Sequence, residues 1–301
     1  MSNLVSNTTL SGEYKIVIKN SSDIVVQETE WFDNLILNQG LDRLGTSSAA
    51  INYAQAGTGS TPPANTQTSL VAILGGSSQV TTADSVVNSG TPLYQTSYLF
   101  RFVFSQGSIV GDISEVGVGW GATGATLFSR ALILDINDNP ISVTITAADQ
   151  LVIYYRITVI PRLTDTTGTL TVGNVSHPYT KRVAQVASFG VQTGLFNGTF
   201  SSTQNAFVYT TGATLGSITG LPQGSSSVDI GTASPAAYTN GTYFRDATWT
   251  AKSNVTTSIK AVLFRWTSVA SFYSYQLLFD TAIPKLETNT FTITMRFSWS
   301  R

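Results

Sequence analysis

Apolar and polar residues alternate with a period of two along much of the chain, a pattern that predicts β-strands with one packed and one polar face. Tyr14, Ile16 and Ile18 alternate with polar residues, and residues 20–23 supply turn chemistry before residues 24–26, which predicts a hairpin. Further alternating sets are Phe100, Phe102 and Phe104; Val143 and Ile145; Ile153, Tyr155, Ile157 and Val159; and Phe291, Ile293, Met295, Phe297 and Trp299.

Helical patterns are scarce. Residues 38–45 predict one short helix, and residues 66–72 predict one helical turn with Thr66 as its N-cap. Many strands joined by Gly, Asn, Ser and Pro turns predict an all-β fold of two antiparallel β-sandwich modules, jelly-roll-like, with long loops. Pro161 favours a boundary, so we expect an N-terminal β-sandwich domain at residues 1–162 and a C-terminal β-rich domain at residues 163–301.

Composition adds that charge is scarce. Only 11% of the 301 residues are charged, against roughly 25% in a typical soluble protein. Such a surface suits burial against partner copies, because interface cores are depleted of charge. The net charge of −1 provides no general field that would attract nucleic acid, so we expect no nucleic-acid partner.

The chain contains no cysteine, so it forms no disulfide and has no thiolate metal site. The N-terminus lacks the basic start and apolar run of a signal peptide, and we expect synthesis in the cytoplasm. No stretch approaches the roughly 18 apolar residues of a membrane span, so we expect no membrane partner.

Catalytic motifs are weak, and we expect neither an enzyme nor a cofactor. His177, the single histidine, has no nucleophile-elbow sequence near it, and a loop position is favoured over a catalytic triad. Gly57 and Gly59 lack the third glycine of a dinucleotide fingerprint, and a structural turn is favoured, in which glycine permits positive φ. Two carboxylates would suffice for a polysaccharide-degrading site, but nothing marks a pair such as Asp229 and Asp246.

Metal-binding motifs are equally weak. Residues 135–140 (DINDNP) offer oxygen ligands but lack the glycine and terminal glutamate of a calcium loop, so a tight turn is favoured. One histidine without cysteine does not make the usual zinc ligand set. We therefore predict no metal site.

Aromatic residues surround a strong turn signal at Asn240 and Gly241. Strand core beside a hairpin is the favoured interpretation, since alternating aromatic residues usually face inward. The alternative is that Tyr238 and Tyr243 are loop contacts that stack on a sugar or anchor a protein partner. The Gly/Ser/Thr-rich residues 197–250 predict long loops with short strands.

Several stretches together carry a family resemblance. Within residues 115–120 the glycines predict a strand that leaves room for a close backbone or for Trp120. The stretches are WFDNLILNQGLDRL (31–44), GTGSTPPA (57–64) with QTSL (67–70), residues 100–104, EVGVGW (115–120), LFSRA (127–131) and RFSWSR (296–301). In this order they resemble structural proteins from the tails and necks of tailed bacteriophages, and the resemblance is strongest over residues 13–160.

The resemblance implies a structural component of the virion (tail, neck or collar) that self-assembles and docks to other virion proteins, and it transfers no catalytic residue. We expect a homo-oligomer located in the virion. Two alternatives stay open: a tail-fibre or receptor-binding module whose loops 197–250 contact host-surface glycan or protein, and a capsid decoration protein. Candidate interface or packing anchors are Trp31, Phe32, Trp120 and Trp299.

Overall fold

The computed structural model describes residues 4–46, 50–88, 95–184, 205–210, 212–218, 220–224, 226–232, 234–250, 256–264 and 274–301. Over these residues the fold is all-β, as predicted, with a single helix, α1 (Asn38–Thr46). The jelly-roll arrangement of two sandwiches stays a prediction. The first eleven strands are β1 (Leu4–Lys19), β2 (Val25–Glu28), β3 (Phe32–Asp33), β4 (Leu35–Ile36), β5 (Tyr53–Gly57), β6 (Ile73–Asn88), β7 (Gln95–Val103), β8 (Gly111–Ile113), β9 (Glu115–Gly119), β10 (Leu127–Leu132) and β11 (Val143–Ile145).

The remaining strands belong to the second half of the chain. They are β12 (Gln150–Pro161), β13 (Thr166–Val172), β14 (Val175–Ala184), β15 (Asn205–Tyr209), β16 (Ser226–Thr232), β17 (Ser234–Pro235), β18 (Phe244–Thr250), β19 (Thr257–Phe264), β20 (Ser274–Lys285) and β21 (Thr292–Ser300).

The chain folds into two compact units, each assembled from discontinuous segments. The N-proximal unit comprises Leu10–Val86, Ser97–Val159 and Arg301, and the C-proximal unit comprises Met1–Thr9, Val87–Thr96 and Ile160–Ser300. The division falls inside β1, β6, β7 and β12, so these strands contribute residues to both units. A division into domains after residue 162 stays a prediction.

In the N-proximal unit, β5 pairs antiparallel with β6 and β9, β9 with β10, and β10 with β4. The predicted hairpin is confirmed: β1 and β2 pair antiparallel, and the Asn20 side chain accepts the backbone N–H groups of Ser22 and Ile24 in the turn. The predicted helix at 38–45 is also confirmed. The helical turn at 66–72 is wrong, because these residues bond to side chains and to the backbone of other segments instead of forming a helical ladder.

In the C-proximal unit, six strands form an antiparallel sheet in the order β13-β14-β20-β19-β15-β16. A second set joins β17, β18 and β21 antiparallel. Leu4–Thr9 of β1 then pairs in parallel with β21, which corrects the expectation of purely antiparallel sheets. His177 was expected in a loop but lies buried in β14, opposite Leu170 of β13, because the chain reverses only at the turn between these two strands.

The alternation near the C-terminus is confirmed: the predicted apolar set in and just before β21 is buried, from Phe291 at 4% exposure to Trp299 at 7%. Trp249 of β18 is fully buried and its ring centroid lies 4.9 Å from that of Phe264. Period-two burial thus positions the core of this unit, since one face of each such strand carries the apolar side chains.

Two buried tyrosines form the centre of the N-proximal core. The rings of Tyr14 and Tyr155 lie 4.8 Å apart, and Phe32 stacks on Tyr14 at 6.0 Å. The Tyr14 hydroxyl shares a hydrogen bond of 2.7 Å with the Ser129 hydroxyl, and Tyr155 accepts one from the Asn34 amide. Burial raises the pKa of Tyr14 and of Tyr155 well above the ordinary value, because both phenolates would lose their hydration.

We expect the free energy of unfolding to fall as pH rises above the ordinary tyrosine pKa of 10.0. In that range the unfolded chain releases phenol protons that the folded chain retains at Tyr14 and Tyr155, so alkali favours the unfolded state. Tyr14→Phe should cost about 1 kcal/mol at neutral pH, through the lost hydrogen bond to Ser129, yet flatten the alkaline decline. Urea unfolding followed by tryptophan fluorescence across the alkaline range measures both effects.

Ser129→Ala is the matched control, because it removes the same hydrogen bond but keeps both ionisable phenols. It should lose stability at neutral pH and retain the alkaline decline. An alkaline decline of equal steepness in Tyr14→Phe and wild type would contradict the assignment.

Candidate functional site

A fully buried ion pair joins two motif stretches, 115–120 and 127–131, in the N-proximal unit. Glu115 begins β9 and Arg130 lies in the neighbouring strand β10, and both side chains have 0% exposure. Arg130 Nε donates to Glu115 Oε2 at 2.7 Å. Two charges removed from water are tolerated only when their other polar atoms are also satisfied, and here the partners come from one loop, residues 58–72, which we call the 58–72 loop.

The Glu115 carboxylate accepts three backbone N–H groups from that loop. Gly59 and Ala72 donate to Oε1 at 3.0 and 2.8 Å, and Val71 donates to Oε2 at 3.1 Å. Hydrogen bonds to an ionised acceptor are roughly twice as strong as neutral ones. The carboxylate therefore closes the loop by holding its two ends together.

The Arg130 guanidinium fixes the middle of the same loop. One terminal nitrogen donates to Gln67 Oε1 at 2.9 Å and the other to the Thr61 carbonyl at 2.8 Å. The Gln67 oxygen also accepts the Ala64 N–H at 2.8 Å, which holds the turn after the two prolines. Glu115, Arg130 and Gln67 form the Glu115 node, which specifies the path of the 58–72 loop.

Helix α1 supports the loop from a further motif stretch. Gln39 Nε2 donates to the carbonyls of Thr68 and Leu127, each at 2.7 Å. The Asn38 N–H donates to the Asn65 carbonyl at 2.8 Å, and Leu37, Leu70 and Leu127 form a small buried cluster. The motif stretches 31–44, 57–70, 115–120 and 127–131 therefore meet at one place.

Glycines at this place permit close approach, not positive φ. A Cβ on Gly59 would lie 2.3 Å from Glu115 Oε1, and one on Gly119 would lie 1.9 Å from the Thr126 carbonyl oxygen. Gly57 and Gly59 do not use the positive φ that glycine permits. The expectation that the glycines of residues 115–120 admit a close backbone is confirmed.

The 58–72 loop presents small neutral groups to solvent. Exposed residues are Thr58, Ser60, Thr61, Pro62, Ala64, Asn65, Thr66, Thr68, Val71 and Ala72. Next to them the Ile73 side chain is 43% exposed, and that of Val71 is 51% exposed. Both Glu115 oxygens are engaged by hydrogen bonds, so the arrangement offers a shaped, preorganised contact surface and no exposed acid or base of its own.

Three predicted anchors lie in the N-proximal unit. Trp31 is partly exposed, with the Arg156 guanidinium 4.0 Å above its ring, and Arg156 Nη1 donates to Glu13 at 2.7 Å. Trp120 is partly exposed beneath Arg43 at 4.9 Å. Phe32 is buried in the tyrosine cluster. Among the described contacts, none joins the side chains of these three residues, so they do not form one patch.

The remaining predicted residues lie in the C-proximal unit. Trp299 is buried, and the Tyr238 ring stacks on it at 5.7 Å. Tyr243, at φ 51°, donates its N–H to the Tyr238 hydroxyl at 3.3 Å, while its carbonyl accepts the Trp299 N–H at 2.9 Å. Tyr238 and Tyr243 lie partly exposed in the connection of the predicted hairpin, between β17 and β18, and neither is in a strand core. Their alternative role as loop contacts stays a prediction. Of loops 197–250, residues 197–204 and the single positions 211, 219, 225 and 233 lie outside the described residues.

The residues weighed for chemistry have structural partners. Asp246 accepts two hydrogen bonds from Arg296, at 2.8 and 2.9 Å. Asp135 accepts the backbone N–H groups of Asn139 and Asn137, which lowers the pKa of its carboxyl and closes the tight turn that was predicted. The side chain of Asp229 lies outside the described residues.

Sequence reasoning did not single out Glu115, Arg130 or Gln67. One signal was present: each of the mostly apolar strands EVGVG and LFSRAL carries a single charge, Glu115 and Arg130. A charge at such a position is either exposed on an edge strand or buried with a partner. Because the two strands carry opposite charges, a buried ion pair could have been predicted.

Glu115→Gln should cost about 3–5 kcal/mol of stability, because it leaves Arg130 buried without a counter-charge. The amides of Gly59, Val71 and Ala72 should also lose protection in hydrogen exchange. Urea unfolding and amide exchange measure the two effects. Glu13→Gln, which breaks the partly exposed pair with Arg156, is the matched control and should cost less than about 1 kcal/mol; equal losses would contradict the node.

Gly40→Ala should destabilise the protein, although alanine ordinarily favours a helix over glycine by about 1 kcal/mol. A Cβ at Gly40 would lie 2.2 Å from the Phe128 carbonyl oxygen, so α1 would have to move off β10. We expect a net loss of about 1–3 kcal/mol in chemical unfolding. Thr46→Ala, at an exposed position of the same helix, should be nearly neutral, and a stabilised Gly40→Ala protein would contradict this packing.

Within the part of the chain that the structure describes, no helix is long and apolar enough to cross a membrane. The same residues hold no group of three or more His, Asp or Glu side chains placed to bind a metal ion. No protein-family model matches the chain, and neither a curated protein nor a solved structure is significantly similar to it.

Proposed function

We propose that this chain is a structural, non-enzymatic component of a tailed-phage virion, placed in the tail, neck or collar, which acts by self-assembly and by docking to other virion proteins. The observation that carries the proposal is the convergence of four motif stretches on the Glu115 node. The residues behind the family resemblance therefore serve to shape and fix an exposed loop.

The buried ion pair of the Glu115 node supports a role in docking, because it fixes the conformation of the 58–72 loop before a partner binds. A buried ion pair is often no more stabilising than a well-packed apolar substitute, so its benefit here is the unique path that it imposes on the loop. A loop already held in its bound conformation loses less conformational entropy when a partner docks. An assembling subunit gains affinity from that preorganisation without any reactive group.

The surface of the 58–72 loop suits a protein partner. Its exposed residues carry no charge, and Val71 and Ile73 extend it with exposed apolar side chains. The central parts of protein interfaces are depleted of charged residues in the same way. With copies of the same chain as partners, the expected geometry is a closed symmetric ring.

Ala64→Glu should impair assembly while leaving the fold intact, because it buries a carboxylate in the proposed contact but keeps the backbone N–H of residue 64 that bonds Gln67. We expect the assembly midpoint in sedimentation velocity to rise by about tenfold or more. Ala148→Glu places the same charge on another exposed alanine and should assemble like wild type.

A cryo-EM map of particles from the bacteriophage that encodes the chain is the direct test. The proposal expects β-rich density for this chain in the tail, neck or collar, with the 58–72 loop against a neighbouring subunit. A chain that is monomeric at all concentrations and missing from the particle would overturn it.

A further inference from the structure

The turn at residues 135–139, which we call the Ile136 turn, presents the most exposed large apolar side chain among the described residues. Ile136 is 78% exposed. Asp135 holds the turn closed: its carboxylate accepts the backbone N–H groups of Asn137 and Asn139 at 2.8 and 2.9 Å, and its own N–H donates to the Asn139 carbonyl at 2.9 Å. The turn is therefore a preorganised support for an apolar side chain that its own fold does not bury.

A cavity of about 280 Å³ lies beside the base of this turn. Its volume is just below the roughly 300–1,000 Å³ of small-molecule pockets, so a single protein side chain suits it better than an organic ligand. Its walls are mainly apolar and come from Leu35, Pro63, Ala131, Leu132 and Leu134. Because Pro63 belongs to the 58–72 loop, this cavity, which we call the Pro63 cavity, continues the proposed contact surface.

The Ile136 turn and the Pro63 cavity are neighbours on one chain, since Leu134 lines the cavity and pairs with Pro140 across the base of the turn. Ile136 is too exposed to be the side chain that fills the cavity of its own chain. In a two-fold pair each copy presents the same surface to the other, so that surface must complement itself. A projecting apolar side chain beside an apolar cavity meets this condition, because both insertions form at once.

We propose that two copies of this chain form a two-fold pair in which Ile136 of each copy inserts into the Pro63 cavity of the other. The inference rests on the proposed self-assembly and names the contact and the symmetry by which two copies associate. The exposed residues of the 58–72 loop carry no charge, so this part of the contact loses no charge hydration when the pair forms.

Exposed acids beside the contact determine how the pair responds to salt. Asp33 lines the cavity and Asp138 lies in the turn, so insertion brings Asp138 of one copy toward Asp33 of the other. Salt screens repulsion between exposed charges. We therefore expect the pair to tighten as ionic strength rises, whereas a different partner protein with basic groups around its contact would bind more weakly.

Sedimentation velocity of the full chain and two variants tests the contact. Ile136→Ser removes the apolar side chain but keeps Asp135 and its hydrogen bonds, and should raise the dimer dissociation constant by at least about tenfold. Ile24→Ser is the matched control, because Ile24 is a 61% exposed isoleucine that also follows a turn, and should dimerise like wild type. Unchanged dimerisation of Ile136→Ser, or a wild-type dimer that weakens in salt, would overturn the proposal.

Disulfide trapping locates the inserted side chain. The chain contains no cysteine, so Ile136→Cys chains and Pro63→Cys chains can be mixed and oxidised without background. We expect disulfides between the two kinds of chain to form faster than disulfides between chains of one kind. Ile24→Cys chains mixed with Pro63→Cys chains are the control and should form them slowly; equal rates for Ile136→Cys and Ile24→Cys would overturn the proposal.

The outcomes separate this contact from the proposed function. Association that weakens with Ala64→Glu but not with Ile136→Ser would remove the Ile136 contact and leave self-assembly standing. A chain that is monomeric at all concentrations would remove both.

Discussion

The buried pair of Glu115 and Arg130 is the interaction on which the described architecture of the N-proximal unit most depends. Neither charge is tolerated alone at 0% exposure, since an unpaired buried ion costs several kcal/mol. The pair is satisfied only when β9 and β10 are in register and the 58–72 loop supplies its amides and carbonyl. Strand pairing and loop conformation are therefore coupled, and one does not form correctly without the other.

Close packing makes this coupling stricter. Gly59 admits the carboxylate at a distance that any Cβ would prevent, and Gly40 lets α1 approach the backbone of β10. Gln39 then bonds carbonyls of both the loop and β10, so the helix fixes the relative position of the two. Each contact removes freedom from the same short loop, which explains why the motif stretches are far apart in sequence yet belong to one structural feature.

Sequence patterns predicted what is local and missed what is remote. Period-two alternation identified β21 and its buried face, and turn chemistry identified the reversals at Asn20 and Asp135, because each depends on neighbouring residues. The parallel pairing of Leu4 with Met295 joins the two ends of the chain, and no local pattern encodes it. The helical turn at 66–72 failed for the same reason, since a distant carboxylate binds the amides of Val71 and Ala72.

The candidate sites divide along the same line. Trp31 and Trp120 were noticed as aromatic residues, yet the structure gives each an arginine partner, while the path of the 58–72 loop is fixed by Glu115 and Arg130. In a chain with only 11% charged residues, a charge that is buried needs a specific partner. Arg130 has its partner within the fold, where it shapes a surface.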